Sequence, residues 1–161
     1  MNDLFQNLFY DKRISELYTA EKSIQYLLDF EAHLAKSQAE LQFIPSQFSE
    51  IIAHCCKVEK IDISQITSQV GLGGNIAIPL VKQLTSVVKA ESEDASKFVH
   101  FGATSQDIVD TGSILQIAQF VNLLESKLLI LKSELITIPC WSKKLPEIAN
   151  WVFSFPPSNE S

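Results

Sequence analysis

The chain has 161 residues, of which 46% are hydrophobic and 20% charged, with 5 Gly and 6 Pro. That composition excludes collagen-like, low-complexity and fully disordered chains and sets one domain as the length-based expectation. A formal charge of -6 argues against binding a phosphate backbone, so no nucleic-acid partner is expected.

No uninterrupted apolar run reaches the roughly 18 residues that span a bilayer, so no membrane partner is expected. The start, Met1-Asn2-Asp3-Leu4, lacks the basic segment and apolar core of a secretory signal, which makes the cytoplasm the default compartment. Of three cysteines, Cys55 and Cys56 are adjacent and Cys140 lies far along the chain. That is no disulfide framework, and the pattern reads as buried or idle thiols in a reducing compartment.

In chain order the elements read as helices, and the fold class is all-α. The first long helix is predicted over about Thr19–Gln42. Leu17, Ile24, Leu27, Leu28, Phe30, Leu34 and Leu41 recur there at three-to-four spacing, and Pro45 enforces a stop. A second helix is predicted from Ser46, whose hydroxyl can cap it, with Phe48, Ile51, Ile52 and Cys55 turned inward. A short helix over Ile63–Val70, capped by Asp62 or Ser64, should end at Gly71-Leu72-Gly73-Gly74, where positive φ is easy. Ile76–Lys89 is predicted helical with Pro79 in its first turn, and Ala90–Lys97 is read as a polar connection.

The stretch 104–138 has no Pro and one Gly, Gly112. Ile114, Ile117, Ala118, Val121, Leu124, Leu128, Leu131 and Leu135 form one apolar stripe. Leu115, Leu123, Leu129 and Ile130 lie on other faces, so the helix needs cover on several sides. At 1.5 Å per residue it would be about 52 Å long, against a diameter of roughly 40 Å for a compact domain of this size. Partner helices are therefore expected. Residues 139–161 change character: Pro139, Pro146, Pro156 and Pro157 forbid a helical continuation, and Trp141, Trp151, Phe153 and Phe155 show no period.

His100-Phe101-Gly102-Ala103-Thr104-Ser105-Gln106-Asp107 opens that last helix. Thr104 and Asp107 have capping-box spacing. The unpaired first-turn amides, the Thr104 and Ser105 hydroxyls and the close approach allowed by Gly102 outline a carboxylate site. An ordinary capped helix start has the same spacing. The Gly71–Asn75 loop is a second possible anion cradle, without the ending or the preceding strand of a P-loop. His33, His54 and His100 offer no metal spacing, and His54-Cys55-Cys56 does not match zinc. Glu31, Glu40, Glu91, Glu93 and Asp94 read as solvated faces or loop charges. No nucleophile elbow is present.

The segment HFGATSQDIVDT (100–111) resembles the first signature region of the aspartase/fumarase superfamily. YTAEKSIQYLLDFEAHLAKSQAELQFIP (18–45) is similar to the N-terminal helix of its adenylosuccinate lyase and cycloisomerase branches. GLGGNIAIPLVKQLT (71–85) is more similar to the 3-carboxy-cis,cis-muconate cycloisomerase branch: adenylosuccinate lyases usually carry a His-Asp pair in this region, which here reads Gly74-Asn75-Ile76-Ala77-Ile78-Pro79. The three segments come in the family's order, and the resemblance covers about residues 4–138.

The resemblance implies an N-terminal helical domain over 1–103 and the first long helix of a central bundle over 104–138. The tail, 139–161, is not the family's continuation. It also implies addition or elimination beside a carboxylate: in the cycloisomerase branch, closure of 3-carboxy-cis,cis-muconate to a lactone in protocatechuate breakdown. No organic cofactor and no metal are implied. The partners implied are a dicarboxylate or tricarboxylate substrate and, for the full-length family member, a homotetramer whose active sites draw on three subunits.

Thr104 and Ser105 match the residues that hold a substrate carboxylate, His100 and Gln106 match positions lining the same pocket, and Asn75 matches the branch-dependent pocket loop. The general acid and base are not assigned. The family's Gly-Arg-Thr-like and Ser-Ser-x-Met-Pro-like regions are absent from this sequence, so the chain is expected to be truncated and inactive alone. A fragment of an adenylosuccinate lyase-like enzyme and a non-catalytic helical interaction module are the alternatives.

Overall fold

A computed structural model describes residues 10–137; the readings made above for 139–161, including Cys140, lie outside them. Regular structure among the described residues is entirely helical. The chain divides into two units, 1–120 and 121–161.

In the first unit, α1 (Lys12–Leu17) is a short helix capped by Asp11, whose carboxylate accepts from the amides of Arg13 and Ile14. Helix α2 (Ala20–Glu40) starts at Thr19, whose hydroxyl accepts from the Lys22 amide at 3.3 Å. Its buried positions, Ile24, Leu27, Leu28, Glu31 and Ala35, form one stripe at helical spacing. The helix ends at Leu41 with Gln42 left-handed (φ 63°), so Leu41, exposed like Phe43, leaves the predicted stripe.

Helix α3 (Ser46–Cys55) has Pro45 at its cap and no side-chain cap bond, so Ser46 is its first residue and not its cap. Ser49, Ile52 and Cys55 are buried, with Phe48 and Ile51 packed against the core from its edge. After a 3-10 turn over Val58–Lys60, α4 (Ile63–Gly73) is capped by Asp62 and runs past Gly71 to a left-handed Gly74 (φ 67°). The apolar pattern stops at Val70, but Gly is tolerated in a last helical turn, and the left-handed residue that ends the helix is Gly74.

Helix α5 (Ala77–Glu91) buries Ala77, Pro79, Leu80, Leu84 and Val88. The predicted polar connection after it contains one helical turn, α6 (Glu93–Ser96), because the Ser92 hydroxyl accepts from the Ala95 amide and Ala95 is fully buried. The core of the unit lies between α2, α3 and α5, with Leu28, Ile52, Leu80, Leu84, Val88 and Ile108 among its most buried side chains.

Helix α7 (Ser105–Thr137) has 33 residues, about 50 Å at the usual rise. Its first turns belong to the first unit. Ile108 is fully buried, and Gly112 faces Leu27. Gln116 Nε2 donates to the Leu17 carbonyl at 2.7 Å, and Phe120 meets Tyr18 edge-on at 6.4 Å. These residues recur every four positions and so share one side of the helix. In the second unit, Val121, Leu124, Leu128, Leu129, Ile130, Leu131 and Ile136 are exposed and are spread around the axis as the sequence led one to expect.

Helix α7 is long and apolar enough to cross a membrane on those two measures alone. Gln116, Gln119 and Asn122 interrupt its apolar runs without adding charge. The same length and composition mark a bundle helix that needs partners.

Candidate functional site

The stretch 97–107 is the entrance to α7. His100 and Gly102 both take left-handed backbone (φ 57° and 70°), which turns the chain sharply before Thr104. Left-handed backbone is unfavourable for a residue with a Cβ, so His100 must be held there by its surroundings. Two bonds from α2 do this. Glu31 Oε1 meets His100 Nδ1 at 2.5 Å, and Gln38 Nε2 donates to the Phe101 carbonyl at 2.6 Å. Phe98 adds ring contacts with Phe48 and Phe101.

At the helix start the capping box forms as its spacing predicted. The Thr104 amide and hydroxyl both donate to Asp107 Oδ2, at 2.7 and 2.8 Å, and the Asp107 amide reaches back to Thr104 Oγ1 at 3.4 Å. These bonds favour the charged form, led by the Thr104 amide, and hold the Asp107 carboxyl below its ordinary range. The expectation of two available hydroxyls is therefore corrected for Thr104, whose donors are occupied by a neighbouring carboxylate. Ser105 Oγ and the Ser105 and Gln106 amides have no partner among the described residues, and Ser105 is half-buried. Gln106 is exposed and donates from Nε2 to Asp110 Oδ1 at 2.5 Å.

Thus His100, Thr104, Ser105 and Gln106 share one turn and one helix start. Asn75 does not join them through any hydrogen bond among the described residues. Its Oδ1 accepts from the Ala77 amide at 2.8 Å, at the first residue of α5. Three shallow depressions are lined by other residues. One of about 330 Å³ lies between α4 and α5, bounded by Lys60, Gln65, Lys82 and Gln83. The others lie beside Thr19 and Val58 and along Val121–Lys132. None of these three is lined by His100, Thr104 or Ser105. The helix start is an open donor surface within this chain.

One acidic residue departs from the solvated-face expectation, and a second, exposed one is ion-paired. Glu31 is 1% exposed. Burial pushes its carboxyl up, and the His100 bond only partly opposes this. Its Oε2 has no partner. The available signal was its position, since Glu31 falls in register with Ile24, Leu27, Leu28 and Ala35. Glu91 bonds Lys60 Nζ at 2.8 Å and lies 3.4 Å from His54 Nδ1, which holds its carboxyl down at about 2, Lys60 being the largest cause.

The fold thereby adds Glu91 to His54 and Cys55, a set of three potential metal ligands that sequence spacing could not reveal. Lys60 already places a cation among them: its ammonium is 3.3 Å from His54 Nδ1 and 3.9 Å from Cys55 Sγ. The Cys55 thiol is pushed up to about 11, chiefly by burial, with Glu91 adding to the effect, and Cys56 is pushed higher still by burial. These are inert thiols, as the sequence indicated.

No family model matches the chain. Over 118 residues it is 43% identical to the 3-carboxy-cis,cis-muconate cycloisomerase of Acinetobacter baylyi, a match covering 72% of this chain and 26% of that protein. It is 37% identical over 127 residues to the enzyme of the same name from Pseudomonas putida, covering 79% and 30%. Among solved structures, the β-carboxy-cis,cis-muconate cycloisomerase of Acinetobacter calcoaceticus superposes with a TM-score of 0.80 at 36% identity, covering 84% of this chain and 32% of that one. The match thus spans 26% to 30% of the length of these curated relatives.

Proposed function

Because this chain belongs to the aspartase/fumarase superfamily and matches its 3-carboxy-cis,cis-muconate cycloisomerases, we propose that it is the part of such an enzyme that supplies the carboxylate-binding start of the first long bundle helix. In the reaction, a carboxylate oxygen of the substrate adds to one carbon of a double bond. The neighbouring carbon takes a proton and the ring closes as a lactone, so nothing is oxidised or reduced. Charge builds on the carboxylate next to the carbon that is protonated, and fixed donors there lower the barrier.

The observation that carries this reading is the start of α7. Ser105 Oγ and the first two amides of the helix are unpaired, at the positive end of a helix dipole. Thr104 joins them when its hydroxyl turns from Asp107 to the ligand. His100 and Gln106 border the same turn. Asn75, on the separate loop that precedes α5, contributes from a neighbouring subunit. The reading includes a cytoplasmic homotetramer, in which the exposed apolar residues of α7 are covered by other bundle helices. It needs neither metal nor organic cofactor. Gly74-Asn75 favours it over an adenylosuccinate lyase-like fragment.

The same reading takes 1–103 as the N-terminal domain, 104–138 as the bundle helix and 139–161 as a tail foreign to the family, and it makes the chain inactive by itself. Incubation of the purified 161-residue chain with 3-carboxy-cis,cis-muconate tests this. No lactone should form until a longer relative carrying substitutions in its own copy of the α7 start is mixed in to complete the site. Turnover by the chain alone overturns the inactivity. Failure of every such mixture to gain activity favours a non-catalytic helical module.

A further inference from the structure

Glu31 and His100 lie 69 residues apart in sequence and meet at 2.5 Å. The carboxylate is 1% exposed and the imidazole side chain 15%. A buried acid is costly unless it is paired, and here a single ring nitrogen is the partner, with Oε2 left without one. The imidazole is in turn held on a left-handed backbone four residues before Thr104. No described residue bonds its second nitrogen, Nε2.

We propose that Glu31 is a positioning residue: it accepts the Nδ1–H of His100, fixes the less common tautomer, and so presents Nε2 as the nitrogen that meets the substrate beside Thr104 and Ser105. An ionised carboxylate can only accept and so keeps the proton on Nδ1, whereas a protonated Glu31 would donate and leave the ring proton on Nε2; the tautomer therefore decides between the two. An unrestrained neutral histidine favours the proton on Nε2, so the acid inverts the ring's ordinary preference. The logic is that of any imidazole whose rear nitrogen is bound by a carboxylate: tautomer and ring angle are set from behind, and the front nitrogen does the work. Glu31 itself touches no substrate, since α2 buries it. Its value to the substrate rests on the carboxylate site proposed above.

The test is ¹⁵N NMR of the full chain. Long-range imidazole spectra report which nitrogen carries the proton, with the His100 signals assigned by their loss in His100→Gln. The native chain should show His100 protonated at Nδ1, and Glu31→Gln, whose amide can donate to Nδ1, should move the proton to Nε2 while the circular dichroism of the helices stays the same. Protonation at Nε2 in the native chain overturns the proposal without any variant being needed. Glu31→Leu, which removes the acceptor altogether, should also move the proton to Nε2, and an unchanged tautomer in Glu31→Leu overturns the proposal.

Titration with tricarballylate, a simple tricarboxylate, separates this proposal from the site itself. Movement of the Thr104–Gln106 amides supports the carboxylate site; Glu31→Gln, which turns Nε2 from an acceptor into a donor toward the anion, should then not weaken the binding, and loss of binding in that variant overturns the role given to Glu31. If the amides do not move, the carboxylate site is lost, and the tautomer still decides the role of Glu31.

Discussion

Leu27 of α2 and Gly112 of α7 meet so closely that a Cβ on Gly112 would stand 2.5 Å from Leu27 Cδ2. Gly112 is the only glycine in the long helix, and its missing side chain is what lets α7 lie against α2 just beyond the helix start. Gly112→Ala gains about 1 kcal/mol in helix propensity but forces Leu27 off its position, at about 1–3 kcal/mol for overpacking. A net loss of about 1 kcal/mol is expected in urea unfolding. Leu27→Ala should abolish that penalty, so the pair should be non-additive in a double-mutant cycle. Additivity would show that the two residues do not share the contact.

Leu28 is fully buried between α2 and its neighbours. Leu28→Ala removes methyl groups that nothing can replace and is expected to cost about 2–5 kcal/mol. A small domain commonly holds about 5–15 kcal/mol in all. The unfolding midpoint should therefore fall steeply, whereas Leu41→Ala, at an exposed position, should leave it nearly unchanged.

The Glu91–Lys60 pair gives a pH signature. The Glu91 carboxyl sits at about 2 against an ordinary 4.5. An acid whose folded value is depressed stabilises the fold above its unfolded value and loses that contribution as pH falls through the folded one. The difference in melting temperature between the native chain and Glu91→Gln should be constant above about pH 5 and shrink from pH 4.5 toward pH 2. A gap that widens in acid would contradict the pairing. Glu31 has the opposite sign. Its raised carboxyl favours the fold most below its ordinary value, and that contribution fades as pH rises through the folded one.

The thiols of Cys55 and Cys56 are both buried and free, and Cys55 is pushed up to about 11. Iodoacetamide at pH 8 should leave the peptide carrying both unmodified in the folded chain and alkylate it fully in 6 M guanidinium. Peptide mass spectrometry reads the difference, and alkylation of the folded chain at the unfolded rate would contradict their burial.

On α7, Leu128 and Leu129 are exposed beside Val121 and Leu124. An apolar surface of this kind drives association. In sedimentation the chain should run heavier than its 18.0 kDa monomer, and Leu128→Lys with Leu129→Lys should shift it toward the monomer. A native chain that stays monomeric at high concentration would remove the argument for partner helices.

Much of this fold was legible from local chemistry. Apolar spacing located α2 to within two residues at each end and the start of α7 to within one, and Thr19, Pro45, Asp62 and the Thr104–Asp107 box marked helix starts and stops, because periodicity and capping act within a few residues. The motif at 100–107 was visible for the same reason, and the family resemblance with it. What local rules could not supply were contacts between distant segments. They include Glu31 buried beneath His100, Glu91 brought to His54 and Cys55 with Lys60 among them, and Leu27 against Gly112. They also include Asp107 occupying both Thr104 donors, where sequence spacing named the partners without saying which oxygens would be left over. A charge on a helix is solvated or buried according to what packs over it. Helix periods can be read along one chain, but the cost and pairing of a buried charge are set only when another segment closes on it.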